Sequence, residues 1–179
     1  IQNYLAGTFV LRNSARNNIA ALDASTGAVL SWNADANGVV RALMEKPFNL
    51  VPMVYAGGDF TSIGGAARSR IARLDASTGL ADAWAPSANG SVYAIALGGF
   101  TQSVVYAGGS FTVMNGTPTR IGGIDMYTGG VDPVQSPNGP VYALAFDDVN
   151  KFLYVGGSFT LLNASPRNNL GVINIGSFQ

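Results

Sequence analysis

The feature that most limits what this chain can fold into is that it repeats itself. The stretch "YAGGDFT" at residues 55–61 returns as "YAGGSFT" at 106–112 and "YVGGSFT" at 154–160, and an eroded copy, "YLAGTF", stands at 4–9. Phe9, Phe60, Phe111 and Phe159 are therefore 51, 51 and 48 residues apart. Two further markers keep the same beat. "ALDASTG" ends at Gly27, "RLDASTG" at Gly79 and "GIDMYTG" at Gly129, with a fading "GVINIG" near the end. Asn-Gly stands at 37–38, 89–90 and 138–139, followed each time by an apolar segment, "VVRAL", "SVYAIAL" or "PVYALAF". Three markers in one phase confine the fold to architectures that stack copies of one supersecondary unit.

Each unit divides into four short strands separated by turn residues. In the third unit these are "VYAIAL" (92–97), "VVYAGGSF" (104–111), "RIGGIDM" (120–126) and the piece around Val131 to Gln135. Asp147-Asp148 with Asn150 makes a polar turn between the first two strands of the last unit, and Asp-x-x-Thr-Gly links the third to the fourth. The Asp of that motif can accept bonds from backbone N–H groups two or three residues on, and its Gly supplies positive φ.

Some fifty residues in four sequential antiparallel strands is the size of a propeller blade, whereas a leucine-rich repeat closes in about 20–29 residues. The expected fold class is all-β, a β-propeller of four-stranded antiparallel blades with about three and a half blades in the chain. The blade parts are 1–36, 37–87, 88–136 and 137–179 of a single repeat region. The glycine pairs Gly57-Gly58, Gly108-Gly109 and Gly156-Gly157 are expected where neighbouring backbones come too close for a Cβ. The flanking Tyr and Phe, including Phe60, Phe111 and Phe159, are expected to fill the space between adjacent sheets, and Trp32 and Trp84, with Val134 in the third copy, to be wedges on the outer strand. Asp75, Gly79, Asp125 and Trp84 complete the set of structural markers.

Composition narrows function. Ten Lys+Arg balance ten Asp+Glu in 179 residues, and only 11% of the chain is charged, so no global field draws in nucleic acid or an anionic membrane. There is no Cys and no His, which removes disulfides, thiolate metal sites and the commonest general base. No apolar run approaches the 18 residues a spanning helix needs. A start at Ile1, without Met or a leader, suggests a processed or excised piece.

The blocks "GGDFT", "RNNIAALD" and "NGSV" resemble the Gly-Gly-x-Phe-Thr, Arg-Asn-x-Ile-Ala-x-Leu-Asp and Asn-Gly-x-Val blocks of the bacterial delta-sixty type of propeller repeat, over nearly the whole chain. Apolar runs ending in Gly-Gly ahead of a distant Trp are similar to kelch repeats, and Asp-x-x-Thr-Gly before a Trp is similar to the docking motif of quinoprotein propellers. Ala6 and Asn174 depart from the pattern, where Gly and Asp are expected. The resemblance implies large secreted or surface-attached bacterial proteins.

The most regular polar feature is arginine ahead of strand three: Arg16, Arg68, Arg70, Arg120 and Arg167. These form a candidate ligand or partner face for acidic or sugar ligands, beside the blade-to-blade loops "NADANG", "APSANG" and "QSPNGP". The plainer reading is that each Arg bonds its own loop and recurs because the fold recurs. Asp23, Asp75 and Asp125 are a whole blade apart and suit turns rather than acid–base work. Asn89, Asn115 and Asn163 sit in glycosylation-type triplets that chance explains in a chain rich in Asn, Ser and Thr.

No catalytic group, metal site or cofactor is expected. The expected function is a non-catalytic extracellular or cell-surface binding or structural scaffold acting through its loop face on a protein or glycan partner, or on further copies of the same chain, with no nucleic acid and no membrane insertion. One alternative is a propeller domain of a secreted carbohydrate-active or quinone-dependent enzyme whose catalytic groups lie outside this chain. Another is a self-assembling structural subunit.

Overall fold

The computed structural model describes residues 2–10, 16–98 and 103–177. Among them every regular element is a β-strand apart from one 3-10 turn at Ile175–Ser177, and the chain divides into two compact units, Ile1–Ala85 and Pro86–Gln179. No helix is long and apolar enough to cross a membrane.

The first unit holds two repeats. Blade one consists of β1 (Gln2–Val10) and β2 (Asn17–Asp23), paired antiparallel with Tyr4 opposite Ala21. Blade two runs β3 (Val40–Glu45), β4 (Met53–Gly58), the two-residue strands β5 (Ser62–Ile63) and β6 (Ala66–Ala67), and β7 (Ile71–Asp75). Its sheet has the order β3-β4-β7, while β5 and β6 make a separate hairpin.

The second unit repeats the plan. Blade three comprises β8 (Val92–Gly98), β9 (Val104–Gly109), the hairpin of β10 (Val113–Met114) and β11 (Thr117–Pro118), then β12 (Ile121–Asp125) and β13 (Val131–Pro133). Blade four comprises β14 (Val141–Asp147), β15 (Phe152–Gly157), the hairpin of β16 (Leu161–Leu162) and β17 (Ser165–Pro166), and β18 (Leu170–Asn174). Sheet orders are β13-β12-β9-β8 and β14-β15-β18, all antiparallel.

The expected strand positions hold to within a few residues, with two refinements. Only blade three builds a four-stranded sheet among the described residues; in blades one and two the fourth strand is reduced to the single bridges Leu22–Val29 and Leu74–Ala81. The small hairpin inserted between strands two and three was not foreseen, because two-residue strands leave no periodicity to detect.

The core lies on both sides of the central strands. β4 is buried along its whole length, which is why "MVYAGG" shows a continuous apolar run rather than alternation. In the first unit Tyr4 packs edge-on to Trp32 (5.1 Å) and Tyr55 edge-on to Trp84 (5.5 Å). The tyrosine of strand two thus meets the tryptophan of the outer piece of its own blade edge to face, which brings the positive edge of one ring to the negative face of the other. Trp32 also donates its indole N–H to the Asp75 carbonyl of blade two at 3.0 Å. In the second unit blade four lies on blade three: Phe146 stacks on Tyr106 at 5.7 Å with 21° between the planes. Burial pushes the Tyr106 phenol up to about 12.

The glycine pair has two separate jobs, and the expected close approach of backbones holds at the second position of the pair. At the second position, a Cβ on Gly58, Gly109 or Gly157 would collide with the carbonyl oxygen of Val39, Ser91 or Pro140 in the same blade. At the first position, a Cβ on Gly108 would lie 2.5 Å from Val141 Cγ1, a side chain of the next blade. The phenylalanine follows the end of strand two and lies outside its ladder. Phe60 and Phe111 are fully buried, and their backbones lie against Gly38 and Gly90 so closely that a Cβ there would come within 2.9 Å and 2.8 Å of the Phe Cα.

Candidate functional site

The Asn-Gly marker and the Gly-Gly-x-Phe-Thr marker prove to be two halves of one clamp. Asn89 Oδ1 accepts from the backbone N–H of Thr112 (2.9 Å) and Val113 (3.0 Å), while its Nδ2 donates to Thr112 Oγ1 (3.0 Å). Asn37 does the same with Thr61 and Ser62, and Asn138 with Thr160 and Leu161. Backbone bonds reinforce each clamp: Asn37, Asn89 and Asn138 donate to the carbonyls of Ser62, Val113 and Leu161. Within each of these blades, then, the blade-to-blade loop and the strand two-to-three hairpin form one layer at one end of the sheet. That layer is the loop end, where the expectation of a shared loop face holds blade by blade.

Strand one carries a β-bulge at the loop end. The register slips between Val40 and Ala42, between Val92 and Ala94, and between Val141 and Ala143. The extra residue, left out of the ladder, is Arg41, Tyr93 or Tyr142. Bulges re-aim a side chain and often adjoin functional sites. The backbone is held alike in all three copies, so the chemistry at this position is free to differ. In blade two Arg41 forms a fork with Asp59, with Nε 3.0 Å from Oδ2 and Nη2 2.5 Å from the same oxygen. In the second unit the bulge residues are both tyrosines, their rings 5.6 Å apart and tilted by 42°, with Tyr142 56% exposed. Ser158, which holds the place of Asp59 in the repeat, is exposed.

The arginines ahead of strand three separate into different roles. Arg16 donates from Nη2 to the carbonyls of Leu30 (2.9 Å) and Ser31 (3.1 Å) and from Nε to that of Trp32 (3.1 Å). Arg68 donates from Nη2 to the carbonyl of Asp82 and from Nη1 to that of Ala67. Leu30 and Asp82 hold the same place two residues before the tryptophan. These two guanidiniums therefore tie the outer piece to blades one and two, where the ladder has shrunk to one bridge. Five donors in a planar fork suit several carbonyls at once.

Blade three needs no such tie, since β13 pairs through its backbone. There the N–H that bonds the Thr112 carbonyl belongs to Thr119, as Arg68 bonds Thr61 and Arg167 bonds Thr160. One residue fewer separates the hairpin from strand three, so Arg120 is not the counterpart of Arg68; its backbone N–H donates to Ser136 Oγ at 2.7 Å. Arg70 holds a positive φ of 70° and caps the strand through its backbone. Arg167 is exposed, with Nη1 2.7 Å from the Pro166 carbonyl.

Sequence reasoning missed Arg73. It occupies an interior position of β7 where the other copies have Ala21, Gly123 and Val172, and it is only 4% exposed. Its guanidinium lies 3.8 Å from the Phe48 ring centroid, with Trp84 at 5.6 Å, and pairs with Asp82 Oδ2 at 2.7 Å. The available signal was a lone cation inside a strand whose copies carry small or apolar residues, and such a cation must bring its own partners.

The aspartates are turn formers. Asp75 Oδ1 accepts from the N–H groups of Ser77 (2.8 Å) and Thr78 (2.7 Å) and from Thr78 Oγ1 (3.1 Å), and Asp23 and Asp125 repeat the pattern. The Thr26, Thr78 and Thr128 N–H bonds hold the respective carboxyls below the usual range. Gly27, Gly79 and Gly129 close these turns at φ of 70°, 81° and 72°. Asp147 serves Val149 and Asn150 while Asp148 pairs with Lys151, so the adjacent carboxylates do not act together. No cluster of three or more metal-ligating side chains occurs among the described residues. The side-chain amide nitrogens of Asn89 and Asn115 donate within the fold, to Thr112 Oγ1 and the Gly129 carbonyl.

A family model described as "Domain of unknown function (DUF5122) beta-propeller" matches residues 53–83. That stretch runs from β4 through the β5–β6 hairpin and β7 to the outer piece carrying Asp82. Together with the antiparallel sheets of the successive repeats, this makes the fold class a β-propeller. No curated protein matches the chain.

Proposed function

We propose that this chain is a non-catalytic propeller scaffold that binds a glycan at the loop end of its second unit. The observation that carries the reading is the pair of bulge tyrosines, Tyr93 and Tyr142, 5.6 Å apart on clamped backbone, with Tyr142 56% exposed. An aromatic face pointed at solvent accepts the C–H side of a sugar ring, while hydroxyls such as that of Ser158 meet the ring's polar edge. Rigid strands keep the rings in place, so little conformational freedom is lost on binding. The turn-bound aspartates and the absence of His and Cys from the chain favour binding over catalysis. Placement at the cell surface is supported by the resemblance of the repeat blocks alone. The test is a glycan panel screened with the intact chain and with Tyr142→Ala and Tyr93→Ala. Binding to a defined glycan class, weakened about tenfold or more by either variant with unchanged circular dichroism, supports the reading. No glycan binding, or binding indifferent to both tyrosines, refutes it.

A further inference from the structure

The hairpin between strands two and three meets the preceding blade-to-blade loop in one way in blades three and four, and in another way in blade two. In blade three a bridge joins Ala88 to Met114, and the Asn115 N–H donates to the Ser87 carbonyl at 2.8 Å. In blade four the bridge is Pro137–Leu162, and the Asn163 N–H donates to the Ser136 carbonyl. The Asn115 side chain tightens its contact further: Oδ1 accepts from the Ser87 N–H at 2.7 Å and Nδ2 donates to the Gly129 carbonyl at 2.9 Å. Blade two has Gly64 at this turn position. It lies so near the outer piece that a Cβ would come 2.5 Å from the Ala81 nitrogen. Its N–H bonds the Ala34 carbonyl at 2.5 Å, one residue earlier in the loop than in the other two blades, and no bridge joins Ala36 to Ile63 among the described residues. Asp35, in the place of Ser87 and Ser136, turns to a φ of 43°, which neither serine adopts.

Where the loop slips, a hollow of about 530 Å³ opens between loop and hairpin, wholly within the first unit. That volume falls in the range of small-molecule sites. Its walls include Ser62, Gly65, Ala66 and Ala67 of the hairpin, Leu80 of the outer piece and Asp35 of the loop. Ala66 and Ala67 stand where blade three has Thr117 and Pro118, and Leu80 where it has Gly130. The lining holds one carboxylate and neither Lys nor Arg. Departures from a chain's own local rules concentrate at functional sites.

We propose that this hollow binds a primary ammonium group carried on a short aliphatic chain. Asn17 Nδ2 donates to Asp35 Oδ1 at 2.5 Å, so the carboxylate is oriented before a ligand arrives and little freedom is lost on binding. A carboxylate offers about four acceptor sites, and the Asn17 amide takes one. An ammonium bonds the rest with charge assistance, about twice as strongly as a hydroxyl could, while the methylenes lie on Ala66, Ala67 and Leu80. The inference concerns the first unit and does not rest on glycan binding.

The experiment is a titration of the intact chain with n-butylammonium, followed by two-dimensional amide NMR, beside n-butanol as a neutral ligand of the same length. Butylammonium is expected to give saturable shifts at Ser62, Gly65, Ala66 and Ala67, and butanol to bind about tenfold more weakly or worse. Asp35→Asn keeps an oxygen for the Asn17 amide and removes the charge, and is expected to weaken binding about tenfold or more. Ala66→Leu fills the hollow and is expected to abolish binding with unchanged circular dichroism. A blocked Gly-Lys-Gly peptide serves as a second probe: binding of either probe supports the proposal, and the tighter one shows whether the ammonium comes from a free amine or a lysine side chain. No saturable shift at these amides with either probe overturns the proposal. So does equal affinity for butanol, or an affinity that Asp35→Asn leaves unchanged.

Discussion

Replacing Gly108 and Gly156 by alanine, one at a time, measures how much of the second unit's stability comes from one blade lying on the next. The two positions are the same in the repeat, both on strand two, and differ in what stands over them. An alanine Cβ at Gly108 would lie 2.5 Å from Val141 Cγ1, 3.0 Å from Val141 Cβ and 3.2 Å from Leu144 Cδ1. Carbon atoms pack at about 3.5 to 4.0 Å, so β14 must retreat by about 1 Å. Overpacking of this kind costs about 1–3 kcal/mol, a sizeable part of a domain's roughly 5–15 kcal/mol. At Gly156 the same Cβ meets Ala143 at 3.5 Å, an ordinary contact. Alanine restricts the unfolded chain, so Gly156→Ala should be neutral or stabilising by about 0.5–1 kcal/mol. The chain-entropy gain is common to both variants and cancels, so the expected gap between them is the overpacking cost, about 1–3 kcal/mol. Urea unfolding of dilute protein, followed by far-ultraviolet circular dichroism, reads it as a midpoint difference of about 0.5 M or more. The tryptophans are unsuitable as probes, since both, Trp32 and Trp84, lie in the first unit. Equal effects of the two substitutions would refute the stacking argument.

Asn89→Ala removes a side chain that satisfies two backbone N–H groups and a hydroxyl, and should lower stability by about 2–3 kcal/mol, with the loss of hydrogen-exchange protection at Thr112 and Val113 as the local sign. Arg68→Ala should cost about 1–2 kcal/mol by releasing the Asp82 carbonyl, whereas Arg120→Ala should stay within about 0.5 kcal/mol; the comparison is made by thermal unfolding. The carboxyls of Asp23, Asp75, Asp125 and Asp147 are all held low in the fold, the first three chiefly by a threonine N–H and the last chiefly by the Asn150 amide. Their stabilising effect is therefore complete above the unfolded value of about 3.9 and fades as pH falls through the lower folded values. Urea midpoints should be level near neutrality and decline below about pH 4, with a shallower decline in Asp125→Ala.

Much of the blade was legible in the residues because its rules are local. The turn Asp-x-x-Thr-Gly specifies its own hydrogen bonds, the glycine pair and the aromatic residues recur at a fixed period, and strand positions followed from apolar runs between breakers. The candidate site was not legible in the same way. A β-bulge depends on register across two strands, so nothing near Tyr93 or Tyr142 announces that it is the extra residue. The arginines looked like one set because spacing was counted along the chain. The hydrogen bonds show that one deletion in blade three shifts Thr119 into the place of Arg68.

What the amino-acid order determined by itself is the unit: its strands, their turns, and the period at which glycines and aromatic residues recur, since each rests on interactions between residues close in the chain or repeated in phase. What only the tertiary structure decided is which of those repeated places meets another part of the molecule. Tyr106 is buried and Tyr154 is exposed, although their surroundings in sequence are almost the same. Burial is a property of what lies across the sheet, and β14 covers one of them and not the other.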